Sequence, residues 1–539
     1  MRYLLFILLV TVITFSSAQP NLDLNFGQSG IQQLDLGTFD KPICMRALPD
    51  GSFLILVQPS EIIGFVDQDL AILKIDAQGN LDTNFGDQGK VKTDFIGFDA
   101  SHPVDLHLLD DGTFWVLGYG QKIDTNDQPY IIQRYLADGQ LDTSFGDQGQ
   151  QIFQFIGAPE IASRMLLYPD GRYMVTGQTF DTIGIHRELP VLGRFDQTGK
   201  PDSTFGRTGK VALDFAQGVI FNIGAPRAPV RHVNGGYFRD IHLAADGSIL
   251  AAGAVYYNDF SYFRCGLVRF LPDGRIDSSF YNNGVLAFEP PAFSVGDRFI
   301  EHLEVLPDGR VVMSIRIDAT PQNFALAILD PDLSELTYPS LDFGGNFDYI
   351  EDFAVLPDGK IFLVGRSILP SNFAAGYFSD QTALARLNAN LLPDNTFGTN
   401  GKMLVDVGTN LKDGAYTLAL ASNGDILVGG SVDIPNQSFG DDLFLMRIKG
   451  DLGTSVAEDI HSDIQFKEGE SQLQINWPAS LQVERISVRN LLGQTISAMP
   501  VPLGDPTVEI QSEAFTPGLY VVQVYARGKV VSYKWKISS

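Results

Sequence analysis

VLPDGKIFLVG, residues 355–365, sets two apolar runs on either side of an Asp-Gly pair. Asp-Gly and Asn-Gly supply the positive φ that tight hairpin turns require, so the stretch reads as two paired strands with Val, Phe, Ile and Leu on alternating faces. The signal recurs at Asp50-Gly51, Asp111-Gly112, Asp170-Gly171, Asp246-Gly247, Asp308-Gly309 and, as Asn-Gly, at Asn423-Gly424, which makes seven hairpins. A third strand follows each one, as in YIIQRYLADG (130–139) and TALARLNAN (382–390).

Next comes a repeated phrase: LDTNFGDQG (81–89), LDTSFGDQG (141–149) and the weaker LDLNFGQSG (22–30), PDSTFGRTG (201–209), IDSSFYNNG (276–284) and PDNTFGTNG (393–401). Segments such as GKVKTDF (89–95) and GKVALDF (209–215) then supply a fourth strand. Four strands per unit, repeated seven times without capping repeats, predict an all-β seven-bladed β-propeller rather than a solenoid. The mature chain opens with the phrase and SGIQQLDLG (29–37) before any hairpin, and the seventh unit ends at LFLMRIKG (443–450) with no fourth strand of its own. The N-terminal strand is therefore expected to complete blade seven and close the ring, which removes an open sheet edge.

A cation precedes the phrase aspartate by eight positions in most copies: Lys74 before Asp82, Arg134 before Asp142, Arg194 before Asp202, Arg269 before Asp277 and Arg386 before Asp394. In the fifth unit Ile328 replaces the cation and SELTYPS (334–340) replaces the phrase, so cation and phrase are expected to touch as a clamp within each blade. Glycine would permit the turn and phenylalanine would plug the gap between blades. A catalytic or metal role for these aspartates is the alternative, but a feature copied around a ring is usually scaffold. Phrase, PDGKI-type hairpin and LARL-type strand together resemble the delta-60 repeat of secreted bacterial β-propellers, over about residues 21–449. That resemblance implies a fold and export more than an activity.

Arg2, an apolar run from Leu4 to Phe15 and a small-residue site at Ala18 have the layout of a secretory signal peptide over residues 1–18, and roughly a dozen apolar residues are too few to span a bilayer. No other segment reads as transmembrane. With 38 Lys+Arg against 64 Asp+Glu the formal charge is −26, which disfavours nucleic acid and anionic head groups. Cys44 and Cys265 fall in distant repeats and read as buried thiols rather than a disulfide.

The propeller is expected over 19–449, a polar linker over 450–460, and a small C-terminal β-sandwich over 461–539. From 481 onward there are six basic residues against four acidic ones, unlike the rest of the chain. NLLGQTI, TPGLYVVQV and the terminal GKVVSYKWKIS occur in the order seen in the C-terminal sorting domain of the type IX secretion system, which this region resembles over about 460–539. The proline-asparagine-proline opening common in that family is replaced here by HSDIQFKEGE. The resemblance implies the type IX machinery as partner and a secreted or outer-surface location, with release or attachment to lipopolysaccharide after the domain is removed.

Two regions could carry function. The loops after the second and fourth strands are long and variable, and Tyr256, Tyr257, Tyr262, Arg227, Arg231 and Tyr377 within them suit an extracellular glycan or protein, the alternative being that these side chains pack the loops onto the blades. The first strands place Arg46, Asp105, His107, Arg164, Asp240, His242, His302, Glu304 and Asp352 on one parity, facing a central channel. Histidine beside carboxylate could bind a metal or move protons, and charged rings that only satisfy one another are the structural alternative. No HExxH, nucleophile elbow, phosphate loop or paired CxxC is present, so a binding module is the expected function and a propeller hydrolase or lyase the second reading. No cofactor is indicated, and a monomer is expected.

Overall fold

The computed structural model describes residues 22–450 and 464–537 apart from short gaps, the longer being 61–69, 181–187, 223–234, 256–262, 291–296, 318–322, 370–378, 434–440, 478–482 and 501–506. The expected signal peptide, most of the linker and all six loop candidates, Tyr256, Tyr257, Tyr262, Arg227, Arg231 and Tyr377, lie outside the described residues. Among those described there is no α-helix, and no helix is long and apolar enough to cross a membrane.

Four-stranded antiparallel sheets follow one another along the chain as a β-propeller requires. The second is typical, running Ala100–Leu108, Phe114–Gln121, Tyr130–Tyr135 and Gln150–Phe153 in spatial order. At each hairpin only the glycine is left-handed, with φ between 81° and 92°. The Gly51 N–H reaches the Leu48 carbonyl at 3.0 Å and the Leu48 N–H the Ser52 carbonyl at 2.8 Å, so the loop is a type I turn closed by a glycine bulge.

Two sheets depart from this plan. The third gains a fifth strand, Val219–Asn222, on Lys210–Asp214, in the connection after the fourth strand that the sequence had suggested as loop. In the fifth, where the phrase is missing, the outer strand breaks into Leu336–Thr337 and Ser340–Leu341. At the chain's start Ile31–Leu34 pairs antiparallel with Asp441–Ile448, and a parallel bridge joins Phe39 to Asp441.

The core lies between sheets. Leu54, Leu56 and Ile72 pack with Leu106, Phe114 and Val116 of the next sheet, and Met45, Phe53 and Ile55 pack with Leu427, Leu443 and Leu445, so the last sheet rests on the first. Cys44 and Cys265 are buried free thiols, and burial pushes the Cys44 thiol up to about 12. Near the C-terminus, Gln465–Glu468, Gln472–Asn476 and Thr507–Gln511 form one sheet. Thr495–Pro500, Val483–Asn490, Gly518–Ala526 and Lys529–Ile537 form another. Leu473, Ile475, Ile486, Val522 and Trp535 from the two share one buried cluster.

The expected clamp is present. Arginine Nε meets the phrase carboxylate at 2.6 Å in Arg134–Asp142 and Arg269–Asp277 and at 2.8 Å in Arg194–Asp202 and Arg386–Asp394, while Lys74 Nζ meets Asp82 at 3.1 Å. Each aspartate N–H also bonds the carbonyl of its cation, as with Asp142 and Arg134 at 2.8 Å. The guanidinium lies over the phrase phenylalanine, 4.9 Å from the Phe205 centroid and 5.0 Å from that of Phe145. The ring then reaches the next sheet: a Cβ on Gly139 would stand 2.9 Å from Phe85. A sixth clamp had not been read from the sequence, for Arg447 Nε bonds Asp23 at 2.8 Å across 424 residues.

Candidate functional site: the axial channel and its mouth

The first strand of each sheet carries a one-residue bulge at the same place, and the residue after it is Cys44, Asp105, Arg164, Asp240, His302, Asp352 or Thr417 in turn. A bulge leaves backbone N–H groups off the ladder, and buried donors need partners. The three aspartates provide them. Asp105 accepts from the N–H of Leu106 at 2.9 Å and of Met165 in the next sheet at 3.0 Å. Asp240 does the same for Ile241 and Leu303, both at 2.9 Å, and Asp352 for Phe353 at 2.8 Å and Leu418 at 3.0 Å.

Basic groups complete the ring. Asp105 takes Arg46 Nη2 at 2.7 Å, and Arg164 bridges Asp105 at 3.8 Å and Asp240 at 2.8 Å. Burial works against ionising Asp105 and Asp240, yet Arg46 and Arg164 on the first, and Arg164 on the second, hold both well below the usual carboxylate range. Arg164 Nη2 lies 2.9 Å from His302 Nδ1, and His302 Nε2 lies 3.0 Å from the Glu351 carbonyl. A guanidinium only donates, so Nδ1 accepts and Nε2 carries the proton.

These groups surround a cavity of about 550 Å³ lined by Arg46, His107, Arg164, Asp240, His242, His302, Glu304 and Asp352, with Asp105 buried behind the arginines. The channel parity read from the sequence thus brings its residues together. His107 Nε2 sits 2.6 Å from the Met165 carbonyl. Burial pushes the His242 imidazole down. Burial, with help from Asp240 and Asp352, pushes the Glu304 carboxyl up to about 7. Among the described residues, the one group of three His, Cys, Asp or Glu ligand atoms close enough for a single ion is Asp35, Asp40 and Asp442, outside this channel.

One tier toward the starts of the first strands lies a set that sequence reasoning missed. Arg239 covers the rings of Tyr237 and Phe299 at 4.9 and 5.7 Å, and Arg316 and Arg366 flank Tyr349 at 4.8 and 5.0 Å. Lys41 stands 4.3 Å over Tyr416. Glu351 accepts from Arg366 at 3.0 Å, and Glu301 lies 3.7 Å from Arg239. By strand direction this tier lies at the end of the sheets where the first strands begin and the second strands finish. Arg239, Glu301, Glu351 and Tyr416 are the bulged residues themselves, which two-residue alternation assigns no face.

Comparison with known proteins agrees with the fold. A family described as a β-propeller domain of unknown function (DUF5122) matches residues 244–280 and 373–397. No curated protein matches. Similar solved structures include a protein of unknown function from Dyadobacter fermentans, at 14% identity over 78% of this chain and 100% of that one, with a TM-score of 0.38. The α-L-arabinofuranosidase Arb93A of Fusarium graminearum is similar at 11% over 68% of this chain and 96% of its own, with a TM-score of 0.40. PorZ, a surface component of the type IX secretion system of Porphyromonas gingivalis, is similar at 11% over 94% of this chain and 83% of its own, with a TM-score of 0.21.

Proposed function

We propose that this chain is a secreted or outer-surface seven-bladed propeller that binds an extracellular glycan at the mouth of its axial channel. On this reading residues 1–18 are a signal peptide, 19–449 delta-60-type blades closed by the N-terminal strand, 450–460 a linker, and 461–539 a sandwich that the type IX machinery recognises. The supporting observation is the mouth itself: aromatic faces held by Arg239, Arg316, Arg366 and Lys41, with Glu301 and Glu351 interleaved. Such a tier offers fixed cationic donors and carboxylate acceptors, as polyhydroxylated ligands need, with the half-buried rings of Tyr349 and Tyr416 among them. The loop candidates Tyr256, Tyr257, Tyr262, Arg227, Arg231 and Tyr377 would extend it outward.

The test is a polysaccharide binding screen with wild type, Tyr349→Ala and the pair Tyr256→Ala with Tyr257→Ala. Binding weakened roughly tenfold in the variants, with unchanged circular dichroism, is expected from the loss of one or two stacking contacts. A wild type that retains no glycan but captures a protein would move the ligand class, and variants that bind as well as wild type would remove the mouth from the site. Deleting 460–539 should trap the propeller in the periplasm, and normal display of the shortened chain would sink the sorting assignment.

A second reading, a hydrolase or lyase in the channel, draws on Glu304 and His242, whose shifts bring a carboxylic acid and a neutral imidazole into one cavity near neutral pH. Turnover lost in His242→Ala would establish it. The main channel carboxylates, Asp105, Asp240 and Asp352, are already spent on backbone N–H groups, which supports scaffold for them.

A further inference from the structure

Where the ring's ends meet, three carboxylates converge. Asp35 follows the N-terminal strand, Asp40 lies on the first strand of the first sheet, and Asp442 lies on the third strand of the last. One oxygen from each falls within 4.8 Å of the others, the spread that ligands about 2.4 Å from one Ca²⁺ could have.

Comparison within the molecule shows that this is not ordinary scaffolding. In four sheets a carboxylate at the start of the first strand accepts the N–H of the incoming chain: Asp40 from Leu36 at 2.6 Å, Glu160 from Phe155 at 2.7 Å, Asp348 from Phe343 at 2.8 Å and Asp413 from Val407 at 3.2 Å. Glu160, Asp348 and Asp413 have a further donor, respectively the Thr179 hydroxyl at 3.3 Å, the Ser367 hydroxyl at 2.6 Å and the Thr382 N–H at 2.7 Å. Asp40 has none. Its cross-strand neighbour is Pro59, a residue type without a donor, and its Oδ1 is buried and unpartnered. Asp442 Oδ1 is likewise buried without a partner.

Leaving such oxygens unmatched costs about 1–3 kcal/mol each, and more when they are charged, so a cation in their midst answers a need that the protein does not meet. The donor set is oxygen alone, which favours a hard ion over zinc or copper.

We propose that Asp35, Asp40 and Asp442 bind a calcium-class divalent cation that pins the N-terminal strand and the first sheet to the last. The ion ties together segments some 400 residues apart in sequence, so it acts on the closure.

The experiment uses the full mature chain stripped with chelator and titrated with CaCl₂ alone by calorimetry, with thermal melting in parallel. Expected is one Ca²⁺ per chain, bound at about 10⁻⁴–10⁻³ M as in other extracellular modules, with a melting temperature that rises on Ca²⁺ addition. Asp40→Asn and Asp442→Asn should each weaken binding by roughly tenfold or more and abolish the Ca²⁺-dependent rise, since each removes one of three charged ligands. Asp40→Asn without Ca²⁺ should melt no lower than stripped wild type, because it relieves anion crowding, and Asp442→Asn serves if the first variant folds poorly. No uptake by wild type up to about 10 mM, or uptake unchanged in both variants, overturns the site.

Discussion

The junction between the second and third sheets and the junction between the last sheet and the first use the same parts in a different chain order. In the second sheet Arg134 and Asp142 are eight residues apart, so the clamp forms within one unit as its third strand is laid down. At the seam Arg447 and Asp23 make the same ion pair, the same backbone bond at 2.8 Å and the same cation-over-ring contact, at 5.1 Å from Phe26, but 424 residues separate them. In these three contacts the two match. They differ in the loop-closure entropy that must be overcome first, which grows slowly with length and gives the reason to expect the seam to open before a junction formed within one unit.

The largest test removes residues 21–37. That deletion takes out the outer strand Ile31–Leu34, the fully buried Phe26 and the partner of Arg447. Burial of Phe26 alone accounts for about 1.5–3 kcal/mol, and an orphaned, largely buried arginine adds a cost of similar size. Thermal melting should show a loss far beyond that of an ordinary tail deletion, whereas removal of 460–539 should leave the propeller's transition in place. Equal melting temperatures for full-length and N-terminally trimmed chains would refute the closure.

Next in size is a comparison of clamps by burial. The Arg386–Asp394 side chains are 3% and 4% exposed, against 27% and 13% for Arg134–Asp142. Arg386→Ala leaves Asp394, held well below its usual range against burial, with Thr396 and with Lys360 at 3.1 Å as its remaining partners, and should cost about 1.5–3 kcal/mol in denaturant unfolding. Arg134→Ala should cost about 1 kcal/mol, because water can replace much of what is lost. Similar costs for both would show that the clamp's contribution is geometric rather than a matter of burial.

Much of this was legible because the repeats vary one feature at a time. In the fifth unit cation and phrase vanish together, which assigned the clamp without coordinates. The same logic, applied to a phrase without its cation at Asp23 and a cation without its phrase at Arg447, would have found the seam pair. Strand parity placed Asp105, Asp240 and Glu304 on the channel, but it could not show that the aspartates are satisfied by N–H groups of the following sheet, a contact between units. The mouth stayed hidden for a different reason. One inserted residue per first strand resets the alternation without any mark in composition, so Arg239 and Tyr416 gave no readable face.

The channel provides a pH test within the same scaffold. Above about 4.5 the unfolded chain ionises Glu304, while the native state keeps that proton until about 7, so this residue makes stability fall as pH rises between those values. Glu304→Gln should therefore gain about 1–2 kcal/mol over wild type at pH 8 relative to pH 4.5, after allowance for the partial exposure of the side chain. Asp105 and Asp240 act oppositely, with stability lost only as pH falls below the ordinary carboxylate range. A pH-independent difference between variant and wild type would mean that Glu304 is ionised throughout.

The smallest effect separates the first sheet's clamp lysine from its neighbours' arginines. Lys74 reaches Asp82 with a single ammonium at 3.1 Å, whereas Arg194 divides its fork among Asp202 at 2.8 Å, the Thr204 hydroxyl at 2.8 Å and the Pro272 carbonyl of the next sheet, and lies over Phe205. Lys74→Arg would place a planar fork beside Asp82, whose carboxylate and carbonyl already hold the N–H groups of Asn84 and Phe85. A guanidinium stacked at a partly exposed site adds about 0.5–1 kcal/mol, so the variant should unfold at slightly higher denaturant concentration with an unchanged slope. The local pair is short in sequence and already formed, and the gain should appear in the unfolding rate alone if the clamp closes after the folding transition state. A destabilised variant would show that this first sheet has no room for the fork, and that its lysine is fitted to the space beside the seam.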